Sequence, residues 1–123
     1  MLFRSDYSVA IDTPENRKFQ AAFIKQYGRV PSSAAARGYD SGRLIVEALA
    51  RTNGRSDDHA ALAAALASIS FTGPRGPVRA DPQRSTAIDK LYIVRSLGAG
   101  DDTRYEVLDR VTAPPARLCA PRS

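Results

Sequence analysis

The sequence predicts an α/β domain, and three observations predict it. Two helical segments follow one another between Thr13 and Asn53. An alanine-rich third helix spans 57–68. Two strand-like runs then form a hairpin over 88–111. At 123 residues the chain suits one domain with one core. Apolar residues make up 43% and aromatics only 7%, so the helical layer must pack largely through small side chains.

The first apolar stretch, Tyr7-Ser-Val-Ala-Ile11, is short and partly β-branched and reads as a strand or extended lead-in. A helix over 14–27 follows. Thr13 can cap it, Pro14 suits its first position, Glu15 complements its dipole, and Gly28 supplies the stop. Phe19, Phe23 and Tyr27 recur every four residues and give this helix one aromatic face. Ser32 or Ser33 can cap a second helix over 33–52. Its Leu44-Ile45-Val46 run, followed by Ala48 and Leu49, makes the wide apolar sector of a helix buried between neighbours. Gly38 and Gly42, four apart, would let another backbone approach, at a propensity cost of about 1 kcal/mol each.

Ser56-Asp57-Asp58 opens the third helix with acids in its first turn, and Leu62, Leu66 and Ile69 mark its apolar face. Two prolines and two glycines between Phe71 and Pro77 end it in a turn, and Val78–Asp81 reads as a short edge strand. Ile88–Leu97 and Thr103–Val111 form the hairpin around Gly98–Asp102. Its first strand, through Leu91–Val94, is too apolar to leave one face in water. The domain thus covers 1–111, and 112–123 is expected to be a disordered Pro-rich tail.

The formal charge of +5 and pI near 9.8 raise the possibility of a small basic nucleic-acid-binding protein. The arginines are scattered among acids, however, and no tract forms. Gly73-Pro74-Arg75-Gly76 has the GxxG spacing of some RNA-binding loops, but its prolines and the strand after it favour a plain turn. Cys119 stands alone, which rules out an internal disulfide and a multi-cysteine metal site. No apolar run reaches membrane-spanning length, and the first residues lack the apolar core of a signal peptide, so the chain is expected to stay where it is made. His59 is the only histidine and sits in a helix's first turn beside Asp57 and Asp58, where an exposed surface role accounts for it. No set of acid, base and nucleophile emerges. Neither catalysis, nor a cofactor, nor a metal is expected. Tyr39 and Asp40 are the one polar pair of the second helix that could face something specific. Tyr39 reads as a core aromatic with its hydroxyl at an edge and Asp40 as a local cap or solvated acid; direct ligand contact is the alternative.

The succession Thr13-Pro-Glu-Asn16, Phe19-x-x-x-Phe23, Tyr27-Gly-Arg-x-Pro31, Gly38-Tyr-Asp40, Leu44, Ala48-Leu49, Leu62-x-x-x-Leu66, Phe71-x-Gly-Pro-x-Gly-Pro77 and Asp81-Pro82 resembles a known pattern. It is similar to the carboxy-terminal portion of type I periplasmic solute-binding proteins, the leucine/isoleucine/valine-binding family of ABC importers, over residues 6 to 111. The resemblance implies a C-terminal fragment of a two-lobed fold, and hence a truncated form. The lobes of this fold close about a hinge on a small-molecule solute, a branched-chain amino acid or similar, for delivery to an ABC permease in the periplasm. Residues near 7–12 and 81–90 would lie by the hinge. Tyr39 and Asp40 alone fall on a matching motif as ligand-binding candidates. A fragment this short is also expected to be marginally stable, to self-associate through exposed apolar patches, or to have no activity of its own.

Overall fold

The computed structural model describes residues 1–79 and 90–112. Its elements run β1 (Leu2–Ser5), α1 (Pro14–Tyr27), α2 (Ser33–Arg51), α3 (His59–Ser68), β2 (Ser70–Gly73), β3 (Gly76–Arg79), β4 (Lys90–Leu97) and β5 (Arg104–Thr112).

Local chemistry sets the helix ends. The Thr13 hydroxyl accepts the Asn16 backbone N–H at 3.2 Å, Pro14 occupies the first turn, and Gly28 adopts the left-handed conformation at φ 67° to close α1. Ser32 caps α2 by accepting from Ala35 N–H, and Thr52 ends it one residue earlier than expected. α3 starts two residues later than its acids suggested. Asp58 is its N-cap, accepting from Ala61 N–H at 3.0 Å, which places both acids before the first turn rather than in it.

β1, β4 and β5 form an antiparallel sheet with β4 in the centre, and β2 and β3 form a separate antiparallel pair. Ser5 lies opposite Tyr92, and the β4–β5 hairpin carries a register shift at Ile93/Val94. The core gathers Tyr7, Ile11, Phe19, Ala36, Tyr92 and Val94, so α1 and α2 cover one face of the three-stranded sheet. Along β4, Tyr92 and Val94 are buried while Leu91 and Ile93 stay half-covered; the second face of the sheet is therefore more open than the run of apolar residues implied.

Several expectations are corrected. The amino-terminal strand is Leu2–Ser5, and of the two readings of 7–11, strand or lead-in, the strand falls. Tyr7 and Ile11 are buried without strand pairing, because Ser8–Ile11 turns back on itself (Ile11 N–H to Ser8 O, 3.1 Å). Asn16, fully buried on α1, pins that turn by donating to Ser8 O and Ile11 O at 3.2 and 2.8 Å. The segment 71–77, read as a plain turn, contributes to two strands, with Pro74-Arg75 as a two-residue loop between the paired Gly73 and Gly76. Finally, α2 is covered on one side only: Ile45 and Val46 are 55% and 66% exposed, and no atom lies within 4 Å of a Cβ built on Gly38 or Gly42. Thr112, expected to begin a disordered tail, is instead the last residue of β5; the rest of that tail (113–123, with Cys119), the 81–89 part of the hinge and residues 88–89 of the hairpin lie outside the described residues.

Candidate functional site

Successive positions on α2 face different surroundings, and this separates Tyr39 from Asp40. Tyr39 is 44% exposed, its ring 5.0 Å from the buried Phe19 ring of α1. It opens onto a cleft of about 180 Å³. Its wall also includes Glu15 and Lys18 of α1, Arg43 of α2, and Gly73 and Pro74 at the tip of the β2–β3 hairpin. Tyr39 is thus not a core residue; its ring borders open space, backed by an aromatic contact of the kind worth about 0.5–1.5 kcal/mol.

Asp40 is neither a cap nor solvated. It is 1% exposed, and its Oδ2 accepts the Arg75 Nε–H at 2.6 Å, so the carboxylate and guanidinium are buried together. Arg75 Nη1 also donates to Asp6 Oδ2 at 2.8 Å, and Arg37 of α2 donates to both oxygens of Asp6 at 2.8 and 2.9 Å. The Tyr92 hydroxyl of β4 donates to the Arg75 carbonyl at 2.9 Å. One guanidinium thereby joins the lead-in to α1, the body of α2, and the β2–β3 loop, whose carbonyl ties it to the central strand. Gly73 is required for this approach, since a Cβ there would overlap Asp40 Oδ1. That oxygen is buried with no hydrogen-bond partner among the described residues.

Burial would raise the Asp6 carboxyl, but hydrogen bonds and charge from Arg37 and Arg75 more than offset it and hold it below the usual range. For Asp40 burial wins over Arg75 and Arg43, and its carboxyl is pushed up. Burial also pushes the Tyr7 phenol up to about 12, which leaves it neutral.

The sequence reading missed Asp6, Arg37 and Arg75. Arg75 lies 35 residues from Asp40 and 69 from Asp6, so no local spacing could signal the cluster. With Arg75 buried, the Gly73–Gly76 loop presents no cation to a phosphate. Arg17, Arg37, Arg43, Arg75 and Arg95 each pair with a carboxylate, which leaves them poorly placed for nucleic acid. His59 is exposed at the start of α3, and no cluster of potential metal ligands occurs among the described residues. No helix of the described residues is long and apolar enough to cross a membrane.

A larger cavity, about 370 Å³, lies near the amino end of α2 among Phe3, Val9, Pro31 and Tyr105. It has no charged side chain in its wall and includes neither Tyr39 nor Asp40. The smaller cleft combines an aromatic wall with both signs of charge, which suits a small organic molecule with a polar head. Nothing in it pairs a nucleophile with a base.

The profile of the periplasmic binding protein family matches residues 1–101. A curated relative, Leu/Ile/Val-binding protein homolog 6 of Brucella abortus, is 32% identical over 101 residues, which is 80% of this chain and 26% of that protein. Among solved structures, an ABC transporter substrate-binding protein from Sphaerobacter thermophilus superposes with a TM-score of 0.81 at 32% identity, over 91% of this chain and 31% of the other. A solute-binding protein of an ABC transporter from Rhodopseudomonas palustris, in complex with 3,4-dihydroxybenzoic acid, gives 0.81 at 31% identity, over 92% and 31%. The chain thus spans about a quarter to a third of the length of the relatives it matches.

Proposed function

The chain belongs to the periplasmic binding protein family, and from that premise we propose that it serves in solute capture for an ABC importer. In this reading it supplies the carboxy-terminal portion of a type I binding fold and takes a small organic solute, a branched-chain amino acid or a related acid. The family is periplasmic, and we place its work there. Binding proceeds by closure of two lobes about a hinge, with a permease as the partner that receives the solute.

The observation that carries the reading is the shared backbone over more than nine-tenths of the chain, on which Tyr39 borders the cleft. Tyr39 is assigned to the solute-facing wall. Asp40, one residue on, is a ligand-binding residue only at second hand, since its carboxylate is spent on Arg75 and faces away from open space. Family and geometry both support binding rather than catalysis.

Isothermal titration of the purified chain with leucine and with 3,4-dihydroxybenzoate tests this directly. Saturable heat with one of them, weakened on the order of tenfold in Tyr39→Ala, is the expected result. Heat that is unchanged by Tyr39→Ala removes Tyr39 from the site, and no heat with either compound removes autonomous binding of these solutes.

A further inference from the structure

The walls of the Tyr39 cleft are secured in unlike ways. Phe19, Tyr39 and Arg43 stand on helices of 14 and 19 residues. The opposite wall is the tip of a hairpin whose strands have four residues each, and a lone two-stranded ribbon is marginal in water. Its position must be fixed from outside. Arg43 contributes at one end, with its guanidinium 4.2 Å over the Phe71 ring and a long 3.4 Å contact to Thr72 O. At the loop itself the tether is Arg75, through Asp40, Asp6 and the Tyr92 hydroxyl.

Resting on the solute-binding reading, we propose that Arg75 is the positioning residue of the cleft: it touches no solute and fixes Gly73 and Pro74 at their distance from Tyr39. The planar guanidinium reaches two carboxylates at once, one on α2 and one on the lead-in to α1, which the single ammonium of lysine cannot reproduce. Gly73 completes the device by letting the loop backbone lie against Asp40. The reach of the tether explains why a solute-facing residue, Tyr39, should be followed by a buried acid: one turn of α2 carries a wall of the cleft and the anchor of the opposite wall.

The test compares wild type with Arg75→Lys, which keeps the charge, and Arg75→Met, which does not. Amide hydrogen exchange is expected to rise on the order of tenfold at Thr72, Gly73 and Gly76 in Arg75→Lys, while β4 and β5 change by less than about twofold. Of leucine and 3,4-dihydroxybenzoate, whichever binds wild type should bind Arg75→Lys on the order of tenfold more weakly. Unchanged exchange in the hairpin, an equal rise throughout the sheet, or a loosened hairpin with unchanged affinity each overturns the proposal. Arg75→Met should exceed Arg75→Lys in the hairpin; the reverse order also overturns it. If neither compound binds wild type, the solute reading falls by itself, and the exchange pattern still decides the tether.

Discussion

Along α2, Ala36, Asp40 and Ala48 point inward and are all but excluded from water, whereas Ile45 and Val46 stand 55% and 66% exposed on the same helix. Two bulky apolar side chains are thus outside and a carboxylate is inside, while Leu44 and Leu49 are half-buried. Small residues pack closely on that inward side, and Arg75 offsets part of the cost of burying Asp40 while anchoring it. The inward face is complete within the chain; the outward face, with Gly38 and Gly42 in open space, is not.

The sharpest way to break the inward face is Arg75→Met. Removing one partner of a buried pair strands the other, at about 3–5 kcal/mol. In a chain of this size that is a large share of total stability, so the urea midpoint should fall steeply or the transition vanish. Gly73→Ala comes next. Its methyl group would overlap Asp40 Oδ1 and force the loop away, for about 1–3 kcal/mol by the same measurement.

The two carboxylates of the cluster make opposite contributions to acid stability. Asp6 is held below the ordinary carboxyl value of 3.8, so its stabilisation is present above that value and is lost as pH falls through the lower folded one. Asp40 is pushed above it, so its contribution is full below 3.8 and is lost as pH rises through the folded value. Asp6→Asn should therefore flatten the acid limb of the stability curve and Asp40→Asn should steepen it, measured from urea midpoints across about pH 3 to 7. Both variants moving the slope the same way would contradict the assignment.

The smallest stability effect belongs to the outward face. Ile45→Ser with Val46→Ser should stay within about 0.5 kcal/mol of wild type, since each side chain is already more than half in water. The same pair should reduce self-association in sedimentation velocity, because it removes the exposed apolar patch.

Much of this architecture was legible beforehand. Thr13, Pro14, Gly28 and Ser32 announce the ends of α1 and α2 through local hydrogen bonds and backbone preference, and the β4–β5 hairpin shows in its flanking turn. Of the β2–β3 pair only Val78-Arg79 was legible, within an expected edge strand; the rest was not, because Gly73, Gly76 and Pro77 lower strand propensity where cross-strand pairing and Arg75 supply the order. Tyr7–Ile11 misled in the other direction: its β-branched residues look like a strand, but Asn16 holds it as a buried turn. At the cleft, Tyr39 was legible as a candidate through a motif. The fate of Asp40 depended on a partner 35 residues away, which no periodicity encodes.

Thermal unfolding of the chain with leucine, with 3,4-dihydroxybenzoate and with neither tests the central claim of solute capture most directly, with Tyr39→Ala run alongside. A ligand at one hundred times its Kd stabilises the binding state by about 2.7 kcal/mol. The account predicts one cooperative transition, raised by several degrees with one of the two compounds and not raised in Tyr39→Ala. A transition that neither compound moves, or that moves equally in Tyr39→Ala, would contradict it.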